Sequence, residues 1–205
     1  MAQFTEDAAM IAGHFGFAAA VKSRERQVPL WSLMLATVWL DIVFTPLFLT
    51  HIETITVAPG TSGGYGSAVI HADYTHALLG TTMLAVVFGL VAGWRWGRRT
   101  GIVLALVVFS HWVLDLIVHR PDLPLLPGDA GNLPRLGFGL WRYPVAAMLV
   151  ELAIVLAGSA LYWLAAAETA SGSPQSIRNR AHLAGGLVLV CGLAVLVLDF
   201  TRILG

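Results

Sequence analysis

The chain has 205 residues, 57% of them hydrophobic and only 12% charged, with a mean hydropathy of +0.76. That charge content is about half the usual value for soluble domains and points to a polytopic membrane protein. Its 12 basic and 12 acidic side chains cancel. With no basic stripe carrying interleaved aromatics, nucleic acid is excluded as a partner. The single cysteine, Cys191, rules out an internal disulfide or a cysteine zinc cage, so any metal must be held by His and carboxylate.

In chain order, Glu6 and Asp7 precede the apolar stretch Ala8–Val21 and the first basic residue comes only at Lys22, the reverse of a secretory signal, so this stretch is expected to stay in the mature protein. Apolar runs then predict six helices: Ala8–Val21, Val28–Thr50, Ala68–Ala92, Gly101–His119, Tyr143–Ala167 and Ala181–Leu204. A bilayer core needs about 20 residues, so the last five are full spans and the first is a short one. The expected fold is an all-α integral membrane bundle forming one domain over residues 1–205. A five-helix core, residues 8–167, would carry the site, and the last helix, residues 181–204, would be peripheral after the polar linker Thr169–Ser176.

Eight basic residues fall in loops on one side: Lys22, Arg24, Arg26, Arg95, Arg98, Arg99, Arg178 and Arg180. Four, Arg120, Arg135, Arg142 and Arg202, fall on the other. The positive-inside rule then predicts a multi-pass protein of the bacterial inner membrane with both termini in the periplasm. The outer segment Pro121–Arg142 is rich in proline and glycine, cannot be helical throughout and is expected to lie over the membrane surface as a lid. Arg120, Arg135 and Arg142, in or beside it, are candidates to hold a phosphate.

Ionisable residues inside apolar runs are costly and are functional candidates by default. They are His14 in AGHFGF, Asp41 in WLDIVF, His71, Asp73 and His76 in HADYTHALLG, His111, Asp115 and His119 in SHWVLDLIVH, and Glu151 in LVELAI. At 1.5 Å per residue, those on five different helices reach one layer about 15–21 Å from the basic face of a core about 30 Å thick. His111 and Asp115 at i, i+4 share a helix face, and Asp73 and His76 at i, i+3 would share another. By contrast His51, Glu53, His119, Asp122 and Asp129 fall at the outer interface, where solvated or loop-capping roles are expected. Imidazole and carboxylate together suit zinc, with manganese or iron as alternatives. Such an ion lowers the pKa of water toward 7, so hydrolysis is the natural chemistry. His76, His111 and Asp115 lead the ligand candidates, followed by Asp41 and His14. His71 or Asp73 would complete or orient the shell, and Glu151 and Asp73 are the candidate catalytic carboxylates. Two rivals use the same residues: transport of a metal ion or protons through the polar layer, and a structural hydrogen-bond network joining helices.

At these residues the chain resembles the LexA-regulated, inner-membrane metal-dependent hydrolase family. Its members carry a Gly-His near the N-terminus, a P-D-I-D-type element, an H-x-x-x-T-H-S-L element and an S-H-x-x-x-D element. The counterparts here are Gly13-His14, Asp41 in L-D-I-V, His71 with Thr75, His76, Ala77 and Leu78, and Ser110-His111 with Asp115. The resemblance runs over about residues 10–127, and the last two helices carry no matching element. Val43 stands where the family has the second acid of P-D-I-D, and Asp73 supplies a carboxylate that can take its place. The resemblance implies a metal-dependent hydrolase; the orientation of the layer adds a lipid-soluble or periplasmic substrate, and the outer arginines add phosphate as one option for it.

Overall fold

A computed structural model describes residues 11–57 and 68–204. The elements in chain order are α1 (Ile11–Arg24), α2 (Leu30–Thr37), α3 (Trp39–Leu49), β1 (Thr54–Val57), β2 (Ala68–His71), α4 (Leu78–Trp96), α5 (Arg98–Val118), α6 (Pro144–Thr169) and α7 (Gln175–Leu204), with two single 3-10 turns between α5 and α6. Helices α4 to α7 are each long and apolar enough to cross a membrane. Helices α2 and α3, bent by 46° at Val38, make a fifth span if taken together. The sixth expected span is α1, whose 14 residues are short of a bilayer's thickness.

Two expectations are corrected. The run Val28–Thr50 is not one helix: regular geometry stops at Thr37 and restarts at Trp39. The run Ala68–Ala92 does not start as a helix either. Ala68–His71 pairs antiparallel with Thr54–Val57, His71 standing opposite Thr54, and helix α4 begins only at Leu78. Both strands are rich in β-branched residues, which fit a pleated ribbon better than a helix. His71, Asp73 and His76 therefore sit on a strand and a turn, and the helical spacing between them is lost.

Close helix contacts are made by small residues, as expected where lipid supplies no hydrophobic drive between helices. A Cβ on Gly158 would lie 1.8 Å from the Gly16 carbonyl oxygen, so α6 meets α1 backbone to backbone. One on Gly101 would lie 2.4 Å from the Gly89 oxygen, and the same holds for α5 on α4. Helices α1 and α2 join these pairs, α1 packing on α2, α6 and α7, and α2 on α5. Around Leu33, Leu40, Leu104 and Val108 lies the main apolar core. Helix α7 packs on α6 and α1 and starts at Gln175, so the connection expected over Thr169–Ser176 shrinks to a tight turn.

The two ends of the bundle differ. At one, Arg99 bonds Glu25 at 3.1 Å and Arg26 pairs with Glu168, tying the α4–α5 and α1–α2 connections and the end of α6 together. The basic loops therefore share one end. At the other, the segment after α5 folds back over the start of α4: the carbonyls of Pro124 and Leu125 accept the first α4 amides, Leu78 and Leu79. These are donors that a helix N-terminus cannot satisfy by itself. The same segment bonds Gly128 N to the Asp73 carbonyl and pairs Leu123 with Leu136.

Candidate metal centre

Four side chains from three parts of the chain meet inside the bundle. His111 and Asp115 come from one face of α5, as their i, i+4 spacing predicts, and His111 Nε2 lies 3.1 Å from Asp115 Oδ2. Asp41, in the first turn of α3, brings Oδ1 to 3.6 Å from both His111 Nε2 and His76 Nε2. His76, in the turn before α4, places Nε2 3.3 Å from His111 Nε2 and 3.6 Å from Asp115 Oδ2. On the other side His14 of α1 approaches Asp115 Oδ1 at 3.3 Å and stacks on His111 with ring centroids 4.0 Å apart.

The imidazoles of His111 and His76 are each fixed through the other nitrogen, whereas Nδ1 of His14 is buried with no hydrogen-bond partner among the described residues. Nδ1 of His111 is 2.7 Å from the Thr37 carbonyl oxygen, an acceptor only, so Nδ1 carries a proton and the neutral ring presents its lone pair at Nε2. Thr37 is the last residue before the α2–α3 break, and its hydroxyl in turn donates to the His14 carbonyl at 3.2 Å. For His76 the chain of bonds is longer. Glu53 is fully buried and accepts the backbone amides of Tyr74 and Thr75, both at 2.8 Å. The Thr75 hydroxyl has one proton, which it donates to Glu53 Oε2 at 2.9 Å, and it therefore accepts from His76 Nδ1, also at 2.9 Å. His76 Nε2 is thus also left as an acceptor. Its backbone is held by Trp112, whose Nε1 donates to the His76 carbonyl at 2.9 Å.

The result is four acceptor atoms, two imidazole nitrogens and two carboxylate oxygens, pointed at one another. In a buried site such a group needs a cation. No lysine or arginine pairs with any of the four among the described residues. Tetrahedral ligands about 2.0–2.2 Å from a zinc-sized ion stand about 3.3–3.6 Å apart; His76 and His111 lie 3.1 to 3.6 Å from each other and from the two carboxylates, while Asp41 and Asp115 fall in different groups able to hold a metal. The donor set and its spacing fit a divalent ion: His14, His111 and Asp115 form one group able to hold a metal, and Asp41, His76 and His111 form a second that shares His111.

Other expected site residues lie elsewhere. Asp73 pairs with Arg135 at 3.2 Å, and the same guanidinium bonds Asp129 at 3.0 Å and the Asp122 carbonyl at 3.2 Å. Burial works against this charge, yet the hydrogen bond to Asp129 and the charge on Asp73 hold the Arg135 pKa above its ordinary value. Arg135 is therefore committed within the protein, leaving only Arg120 and Arg142 of the three arginines expected to meet a phosphate. His71 is held in the ribbon opposite Thr54. Glu151, buried on α6, reaches Gly13 N at 3.4 Å, next to His14, but belongs to neither ligand group. His119 and Asp122, expected at a solvated interface, are buried and bond each other at 2.9 Å.

Glu53 and Thr37 are the residues that sequence reasoning misses. Glu53 does cap a loop, as one of the expected roles for its position, but from full burial, and it also orients a candidate ligand. The signal for it was present: TITV and AVIH flank the glycine-rich stretch from Pro59 to Ser67, the pattern of two strands joined by a turn. Such a hairpin carries Glu53 back to Thr75. Thr37 has no signal, because its role arises from a break that no glycine or proline marks.

The fold and the centre define an all-α, polytopic membrane protein with buried His and Asp groups that can hold a metal ion. Comparison with protein-family models, curated proteins and solved structures finds no match.

Proposed function

We propose that this chain is a membrane-embedded, metal-dependent hydrolase whose divalent ion, zinc in the first instance, is held by His76, His111, Asp41 and Asp115. The observation that carries the reading is the convergence of four acceptors, with both imidazoles locked by Nδ1 so that Nε2 faces the same point. With both rings neutral, acceptor faces acceptor, an arrangement that a bound cation completes. A divalent ion at such a place acts as a Lewis acid and lowers the pKa of water toward 7.

The protein's own residues do the rest. Glu53, through Thr75, and the Thr37 carbonyl keep both imidazoles in the ligating tautomer, the outer-shell role that tunes metal sites. His14 engages Asp115 through Oδ1 and leaves Oδ2 to the other ligands. The Asp41 side chain is 31% exposed, whereas those of His14, His76, His111 and Asp115 are at most 7%, so a substrate would meet the ion from the Asp41 side. A hydrolase needs only that one approach, whereas a carrier needs access from two faces. The likeness of the His14, Asp41, His76 and His111–Asp115 elements to the LexA-regulated hydrolase family supports the same reading, as does the count of basic residues for a site facing the periplasm.

The test is turnover. The purified protein, loaded with zinc, manganese or iron(II), is expected to hydrolyse at least one of a set of chromogenic carboxylic and phosphate esters in micelles, and to lose that activity in Asp41→Ala and His76→Ala. Retention of the ion without hydrolysis, together with ion flux in proteoliposomes, would replace the hydrolase by a carrier.

A further inference from the structure

We propose that the crevice between α1, α6 and α7 is a binding site for one anionic phospholipid, separate from the His/Asp centre. Two cavities, each of about 380 Å³, lie along α1, α6 and α7, the first also lined by Leu30 and Met34 of α2. The first is apolar and lies within the span, with Val155 and Ser159 of α6 facing Val188, Cys191 and Val195 of α7. The second lies at the basic end, with Tyr162 and Ala166 of α6, Ala181 of α7, and Lys22, Arg26 and Arg180.

Helical spacing sets the two cavities in line along one face, with Trp163 packed on Gly185 between them. On α6 the lining positions 155, 159, 162 and 166 advance by three or four residues and so share a face. On α7 positions 181, 188 and 195 do the same at two turns per step. The line of cavities is thus apolar where it crosses the membrane and basic where it ends, the chemistry of an acyl chain leading to a phosphate.

The basic end has charge to spare. Lys22 gives two of its three protons to the carbonyls of Arg26 and Val28, leaving one, and Arg26 is shared with Glu168. The exposed Arg180 guanidinium has no side-chain partner among the described residues. Basic pockets between membrane helices are where anionic headgroups bind, each arginine or lysine near the surface contributing about a fivefold gain in affinity.

The site is tested by native mass spectrometry of the full-length protein in detergent, titrated with phosphatidylglycerol or phosphatidylcholine of the same chains. One phosphatidylglycerol per chain is expected to be retained preferentially, with Arg180→Gln, which breaks no contact, lowering its retention about fivefold and leaving phosphatidylcholine unchanged. Equal retention of the two lipids, or an Arg180→Gln variant that binds like wild type, would overturn the proposal.

Discussion

At the residue scale, the centre depends less on its four converging atoms than on what holds them. Thr75 is the clearest case, because its single proton, donated to Glu53, decides which nitrogen of His76 faces Asp41 and Asp115. Thr75→Val keeps the side chain's shape and removes both bonds. It is expected to weaken metal affinity about 10–100-fold, the usual cost of losing an outer-shell partner, while Thr75→Ser is expected to retain it. Competition with a chromogenic chelator measures both, and equal affinities in the two variants would show that the relay does not orient His76. Glu53→Gln keeps an acceptor for Thr75 but cannot match a carboxylate receiving two amides and a hydroxyl. An intermediate loss of affinity is expected in the same titration.

At the element scale, the centre is assembled by irregularities in otherwise regular spans. The break at Val38 leaves the Thr37 carbonyl bonded to His111, and the ribbon β1–β2 delays the start of α4 so that His76 sits in a turn. The i, i+4 pair His111 and Asp115 could be read from the sequence, because α5 is regular through both. That Asp41 and His14 share a level with His111 and Asp115 could be read too, since each lies near the middle of an apolar run. What could not be read is anything that depends on a departure from helix. The run from Ala68 onward is apolar enough to pass for the start of a span, and treating it as one put Asp73 beside His76, although Asp73 turns to Arg135. The α1–α6 contact is the most demanding packing element, since it holds His14 in place through two facing glycines. Gly158→Leu is expected to force the helices apart at a cost of about 1–3 kcal/mol or more, visible as a lower melting temperature in detergent. Gly186→Ala, whose Cβ meets only the far edge of Trp163 at 4.0 Å, is expected to melt like wild type. Equal melting of both variants would show that the crossing is looser than described.

At the scale of the whole molecule, the ion pairs Arg99–Glu25 and Arg26–Glu168 gather the basic loops at one end, while the Pro121–Arg142 segment covers the other. Charge predicts that the basic end faces the cytoplasm. In a Cys191→Ser background, Ala130→Cys and Ser171→Cys place single thiols at exposed positions on opposite ends. An impermeant maleimide on intact spheroplasts is expected to label Ala130→Cys and spare Ser171→Cys. The reverse pattern would invert the protein in the membrane and move its substrate to the cytoplasmic side. Whichever way the molecule faces, its function hangs on whether the converging acceptors hold an ion. Elemental analysis of the purified protein tests this most directly: close to one divalent transition metal per chain is expected in wild type and in the distant variant His182→Ala, and none in His111→Ala or Asp115→Ala. Metal-free wild-type protein that takes up no zinc, manganese or iron(II) on dialysis, or equal metal content in all four proteins, would contradict the account.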